Sequence, residues 1–133
     1  SNIRDWLYVD DHARALLAIV EKGRLGETYN VGGRNERTNL DVVHRICDLL
    51  DKHVPANDTR RNLITFVKDR PGHDQRYAID ATKLEVELGW RAHENFETGI
   101  ERTVRWYLDN DWWWKPLRAA GHGVTRLGLG IGR

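Results

Sequence analysis

Ala13, Leu16, Leu17 and Val20 recur at i, i+3, i+4 and i+7, so one face of a helix beginning near Asp10 and Asp11 is apolar. Gly23 ends that stripe. A second stripe, Leu40, Val43, Ile46, Cys47 and Leu50, follows Thr38. Asp41, three residues after the threonine, gives it a capping-box-like start. A third stripe, with Phe96, Ile100, Thr103, Val104, Tyr107 and Leu108, marks a helix that starts near Phe96. Between the helices lie β-forming runs at 4–9, 27–31 and 63–67, and the short extended segment Tyr77-Ala78-Ile79. Asp80 and Gly89 bracket one further short helix through Leu84 and Leu88. One-sided helices alternating with short strands must bury their apolar faces on a sheet or on each other. The chain is therefore expected to be α/β.

From Lys115 onward the periodicity stops. Arg118, Arg126 and Arg133 are scattered among Gly121, Gly123, Gly128, Gly130 and Gly132, and glycine has much conformational freedom to lose on ordering. The expected division is a folded part over 1–114 and a disordered Gly/Arg-rich tail over 115–133. Gly128-Leu129-Gly130-Ile131-Gly132 lacks the flanking strand and helix that a dinucleotide loop requires.

Charged residues make up 31% of the chain but sum to a net charge of only +1, so no global field gathers nucleic acid or an anionic membrane. Any anion must be held locally. No apolar run approaches the roughly 18 residues of a membrane span. The lone Cys47 excludes an intrachain disulfide and suits a reducing cytoplasm. The chain has no methionine, and β-forming Leu7-Tyr8-Val9 stands near its start. The expectation is that its beginning lies elsewhere, in a longer polypeptide.

Few residues carry chemistry. His12 and His44 have no second ligand at i+4, and no metal spacing occurs. No tyrosine is followed by lysine four residues later, and there is no Gly-x-Ser-x-Gly elbow. Cys47, flanked by Ile46 and Leu49, reads as a buried thiol. The run Trp112-Trp113-Trp114 reads as a helix end packed on a neighbouring domain. The strongest cluster is Asp69-Arg70-Pro71-Gly72-His73-Asp74-Gln75-Arg76, where a Pro-Gly turn draws Arg70, His73 and Arg76 together. Arginine forks suit a diphosphate. The same spacing serves equally well as a solvated turn whose arginines pair with Asp69 and Asp74. Arg4, beside Asn2 and Asp5, and Asn39, in the first turn of the second helix, are weaker candidates for the same anion.

Several segments in unbroken order resemble the dTDP-glucose 4,6-dehydratase family, a branch of the extended short-chain dehydrogenases. They are Asn2-Ile3-Arg4-Asp5-Trp6-Leu7-Tyr8-Val9-Asp10-Asp11-His12, Gly26-Glu27-Thr28-Tyr29-Asn30-Val31-Gly32-Gly33, Asn35-Glu36 with Asn39, Asp69 to Asp74, Arg76 to Asp80, Leu88-Gly89-Trp90, Phe96 to Ile100 and Trp106-Tyr107. The resemblance covers residues 1–114. It implies the C-terminal part of a Rossmann-type fold, mainly the substrate-binding lobe. The first helix and the Tyr29–Val31 segment would return to the nucleotide-binding sheet, leaving apolar faces unmatched in this chain alone. It also implies a parent lyase whose NAD takes a hydride from carbon 4 of the hexose. Water is then eliminated across carbons 5 and 6, and the hydride returns to carbon 6. The NAD loop and the tyrosine–lysine pair are not in this chain, so it is expected to be inactive alone, with no catalytic residue and no metal. The residues matching the family's sugar-nucleotide contacts are Arg4, Asn39, Asp69, Arg70, Pro71, Gly72 and His73. The implied partners are dTDP-glucose, the missing N-terminal half and a second copy in a homodimer. Neither nucleic acid nor membrane is implied. The rival readings are a UDP- or GDP-sugar enzyme and a non-catalytic remnant.

Overall fold

A computed structural model describes residues 2–67, 69 and 72–121. Strand β1, Ile3–Asp5, pairs antiparallel with β2, Glu36–Thr38, setting Ile3 opposite Thr38 and Asp5 opposite Glu36. On the other side of β1, Arg76 forms a parallel bridge with Ile3. The Ile3 amide donates to the Gln75 carbonyl at 2.8 Å, and the Tyr77 amide to the Ile3 carbonyl at 3.0 Å. Arg4 thus lies between two backbone neighbours from distant parts of the chain.

Among the described residues the helices are α1 (Val9–Lys22), α2 (Asn39–His53), α3 (Thr82–Leu88), α4 (Phe96–Asp109) and α5 (Asp111–Ala119), with α2 packed on the ribbon. Helix α2 starts with the capping box expected from Thr38 and Asp41. The Asp41 amide donates to Thr38 Oγ1 at 3.0 Å, and Asp41 Oδ2 accepts from the Thr38 amide at 3.2 Å. The Thr38 hydroxyl also donates to Asp41 Oδ2 at 2.7 Å, and this bond, with the one from the Thr38 amide, holds the Asp41 carboxyl below its ordinary value. Gly89 closes α3 at φ 67, a left-handed conformation that glycine adopts without strain. Gly23 ends α1 for a different reason. Its φ is −66, but a Cβ there would meet the Ile19 carbonyl oxygen at 2.4 Å.

The core has two parts. Ala15 of α1 and Leu84 of α3, both 0% exposed, close around Trp90, with Tyr29 and Val31 packed at the edge. The second part joins α2 to α4, burying Val42, Cys47 and Leu49 on one side and Phe96 and Val104 on the other. Each fully buried leucine contributes roughly 1.5–3 kcal/mol.

The structure departs from the sequence reading in four places. Residues 7–9 are not strand: Tyr8 is the extended cap of α1, and Asp10 and Asp11 fill its first turn, where the helix dipole favours carboxylates. Thr28 to Val31 runs against α3, with Lys83 Nζ donating to the Thr28 carbonyl at 3.0 Å. A β-forming run makes a ladder only beside another strand, and its neighbour here is a helix. The run at 63–67 is not strand: Leu63 ends a 3-10 turn, Arg60–Leu63, in which Arg60 and Arg61 are drawn onto Asp51 and Asp48 of α2, and residues 64–67 join no ladder among the described residues. Finally, Lys115 to Ala119 belong to α5 rather than to a tail, while residues 122–133 lie outside the described residues.

Helix α1 buries Ala15 and turns its larger stripe outward, with Leu16 49%, Leu17 57% and Val20 83% exposed. That is the unmatched face expected of a helix that returns to a sheet. Among the described residues no helix is long and apolar enough to cross a membrane.

Candidate functional site

Arg4 sits mid-way along β1 and is held on three sides. Nη1 donates to the Ile3 carbonyl at 2.6 Å, and Nη2 donates to His73 Nε2 at 2.8 Å and to the Asp74 carbonyl at 2.9 Å. The guanidinium also lies over the Tyr77 ring, 4.3 Å from its centroid. None of these partners is a carboxylate, so the positive charge is oriented but not cancelled. Three of its five N–H groups are used, leaving Nε and one hydrogen of Nη1 for another acceptor.

The partners of His73 fix its tautomer. Arg4 can only donate and the Asp69 carboxylate can only accept, so the ring proton belongs on Nδ1, 2.8 Å from Asp69 Oδ1. Asn2 Nδ2 also approaches Nδ1, at 2.9 Å, and its hydrogen goes to Asp69 Oδ2 at 3.2 Å. Gly72 has φ 68, which a side chain would strain, so glycine is what lets this turn fold back on β1. Asn39 heads α2 with an exposed side chain, and its amide donates to the Asn2 carbonyl at 2.9 Å.

Of the residues expected at the site, Arg4, Asp69, Gly72 and His73 therefore form one cluster, and Asn39 adjoins it through Asn2. Arg70 and Pro71 lie outside the described residues. Arg76 does not join. Its side chain instead reaches across β1 and pairs with Glu36 on β2, Nη2 to Oε2 at 2.7 Å. Two of the turn's acids have partners among the described residues. Asp69 meets His73, and the Asp74 carboxylate accepts from the Tyr77 hydroxyl. Asn2 and Tyr77 are members that the sequence reading did not place. The only signal was their position, one beside Arg4 and one just after the turn.

Behind Arg4, the Asp5 carboxylate organises the loop after residue 31. It accepts from the amides of Gly33 at 2.9 Å, Arg34 at 3.3 Å and Asn35 at 2.7 Å. A Cβ at Gly32 would stand 2.6 Å from Asp5 Oδ2, and one at Gly33 2.7 Å from the Trp6 carbonyl, so both glycines are required by close approach. Arg34, at φ 55, forks onto Glu85 at 2.8 and 3.0 Å and ties this loop to α3.

A larger groove of about 520 Å³ lies away from the cluster, between residues 6–9 and α4, walled by Leu7, Tyr8, Phe96, Ile100 and Trp106. Its polar side chains serve the helix: Thr103 Oγ1 donates to the Gly99 carbonyl, and Asn95 Oδ1 accepts from the Thr98 amide. Burial, reinforced by Asp10, raises the Tyr8 phenol above its ordinary value. The groove offers no convergent polar groups, so the cationic cluster is the better site for a charged ligand. Among the described residues no group of histidine, cysteine and acids could hold a metal ion.

The chain is 70% identical over 129 residues to a probable dTDP-glucose 4,6-dehydratase of Sinorhizobium fredii, a match covering 97% of the chain and 37% of that protein. The dTDP-glucose 4,6-dehydratase of Bacillus anthracis, solved in complex with NAD, superposes with a TM-score of 0.75 at 47% identity, over 87% of this chain and 34% of that one. DesIV, the dTDP-glucose 4,6-dehydratase of Streptomyces venezuelae, solved with NAD bound, gives a TM-score of 0.77 at 40% identity, over 87% and 34%. The fold is a C-terminal portion of the Rossmann-type extended short-chain dehydrogenases. The chain spans about a third of the length of the relatives it matches. The family model described as GDP-mannose 4,6 dehydratase matches residues 1–103 of its 133, and the chain belongs to that family.

Proposed function

We propose that these residues are the substrate-side part of a dTDP-glucose 4,6-dehydratase, the lyase that forms dTDP-4-keto-6-deoxyglucose with loss of water. Residues 1–114 contribute sugar-nucleotide recognition. The observation that carries the reading is the convergence of Arg4 and His73, 69 positions apart, on a charge that no carboxylate cancels. Arg4, Asn39 and the turn Asp69, Arg70, Pro71, Gly72 and His73 grip the nucleoside diphosphate. The names of the relatives favour dTDP as the nucleotide.

NAD belongs to the parent enzyme, as it does in the solved relatives. This chain offers no residues that fit it, having neither a strand–loop–helix glycine fingerprint nor a tyrosine–lysine pair, and so supplies no hydride step. Its part is to orient: a diphosphate anchored at Arg4 fixes where the hexose sits relative to groups on the rest of the protein. The complete enzyme is a cytoplasmic homodimer in this reading.

Titrating the full-length protein with dTDP, UDP and GDP in a thermal-shift or calorimetric assay tests the claim. Preferential stabilisation by dTDP is expected, and equal or absent responses to the three would overturn it. A product assay with dTDP-glucose should yield the 4-keto-6-deoxy sugar nucleotide.

A further inference from the structure

We infer that Tyr77 is a positioning residue for Arg4, holding its guanidinium for the diphosphate while leaving its charge intact. The inference rests on the sugar-nucleotide reading above and assigns a role to a residue outside the grip itself. Contacts with described residues on three sides place Tyr77. Its amide donates to the Ile3 carbonyl at 3.0 Å, locking its backbone beside β1. Its ring lies under the Arg4 guanidinium, with the central carbon 4.3 Å from the ring centroid. Its hydroxyl donates to the Asp74 carboxylate, while the carbonyl of the same Asp74 accepts from Arg4 Nη2 at 2.9 Å. Tyr77, Asp74 and Arg4 thus close a triangle, and two of its sides bear directly on the guanidinium.

The choice of an aromatic ring has a chemical reason. An arginine on a strand needs something to hold its long side chain, and the usual partner is a carboxylate. A carboxylate against Arg4 would consume the charge that phosphate oxygens require and would repel the ligand. A ring face attracts the cation through its quadrupole and carries no net charge, so it can fix the plane of the guanidinium at no electrostatic cost to the anion. The Asp74 carboxylate faces the phenol hydroxyl, and Asp74 presents its backbone carbonyl to Arg4. Tyr77 is 45% exposed, more than a core tyrosine would be, as suits a residue at the rim of a ligand site.

The test is calorimetric titration of dTDP into full-length protein carrying Tyr77→Leu, Tyr77→Met or Tyr77→Phe, with steady-state kinetics on dTDP-glucose. Loss of a cation–π contact predicts a dissociation constant for dTDP raised about 2- to 30-fold in the Leu and Met variants. KM should rise in parallel with kcat little changed, because a grip on the distal diphosphate is felt equally in ground and transition states. Tyr77→Phe keeps the ring and should restore most of the affinity. In NMR spectra the Arg4 side-chain resonances should be displaced by the ring current in wild type and Tyr77→Phe, and return to ordinary positions in Tyr77→Leu. Wild-type protein that fails to bind dTDP overturns the functional reading. Wild-type protein that binds while Tyr77→Leu or Tyr77→Met binds equally well overturns this inference alone. Should neither variant fold, undisplaced Arg4 resonances in the wild type would overturn it by themselves.

Discussion

Asp11 is 2% exposed and is the one buried charged residue among those described. It stands in the first turn of α1, yet its carboxylate serves a different part of the chain. Oδ2 accepts from the amides of His93 at 3.1 Å and Glu94 at 2.9 Å, and Oδ1 pairs with Arg14. Arg14 also reaches the Arg91 carbonyl at 3.3 Å. Asp11→Ala would leave two amides without their acceptor, each worth about 1–3 kcal/mol when buried. Arg14 is 37% exposed and can turn to water, so its loss adds little. The expected destabilisation is about 2–5 kcal/mol, less than two full penalties because the loop can relax toward solvent. Asp11→Asn keeps an acceptor oxygen but turns an amide donor or a neutral oxygen toward Arg14, and should fall between wild type and alanine. Urea unfolding followed by tryptophan fluorescence gives the free energy, and hydrogen exchange at His93 and Glu94 locates it. The effect has a definite pH sign. Burial pushes the Asp11 carboxyl up, but the bond from Arg14 and the amides of Glu94 and His93 outweigh it, and the net shift is downward. Its stabilising contribution is therefore complete above the unfolded carboxylate value of about 3.9 and is lost as pH falls through the lower folded value. An Asp11→Ala protein within about 0.5 kcal/mol of wild type, with both amides still protected, would refute this account of the junction.

Arg4→Lys keeps the charge but loses the fork, and should weaken dTDP binding to the full-length protein by about 1.5–3 kcal/mol in calorimetry. Leu84→Ala empties a position that is 0% exposed, and should lower unfolding free energy by about 2–5 kcal/mol in a denaturant titration. Thr38→Ala removes the hydroxyl side of the α2 cap, and a loss of about 1 kcal/mol is expected in the same titration. Gly32→Ala would force a methyl within 2.9 Å of the Ile79 side chain and closer still to Asp5. About 1–3 kcal/mol of destabilisation should follow, with weaker dTDP binding because Asp5 adjoins Arg4.

Signals local to a few residues were legible in the sequence. Thr38 and Asp41 announced the α2 cap, Gly89 announced the end of α3, and Asp80 its start, with the Thr82 amide 2.9 Å from Asp80 Oδ1. The box at α4, Asn95 with Thr98, went unread because its third residue is a threonine and not the usual acid. Helix α5 crosses the boundary drawn at Lys115, because the scattered glycines that suggested a tail begin only at Gly121, beyond its end. The helical stripe of α1 was visible, but which face is buried was not. That depends on what lies opposite, and Ala15 rather than Leu16 and Leu17 meets α3 and Trp90. The strand-like runs failed for the same reason, since a ladder needs a partner that propensity cannot name.

The site shows the deeper limit. Asn2, Arg4, Asp5 and Asp11 stand within ten residues, and together they reach three distant segments. Asn2 meets Asp69 and His73, Arg4 meets His73 and Asp74, Asp5 meets the amides of residues 33–35, and Asp11 those of 93–94. Most of these partners are backbone groups, which every residue carries and which leave no trace in a sequence. Asp5 and Asp11 therefore look like ordinary surface acids or helix caps when read alone. Each in fact fastens a loop to the opening stretch. This gives Arg4 its value: a cation on a strand whose neighbours are fixed from several directions has lost its freedom before a ligand arrives, and binding need not supply that ordering. A motif matched as a run of letters is, in the folded chain, a set of fasteners around one charge.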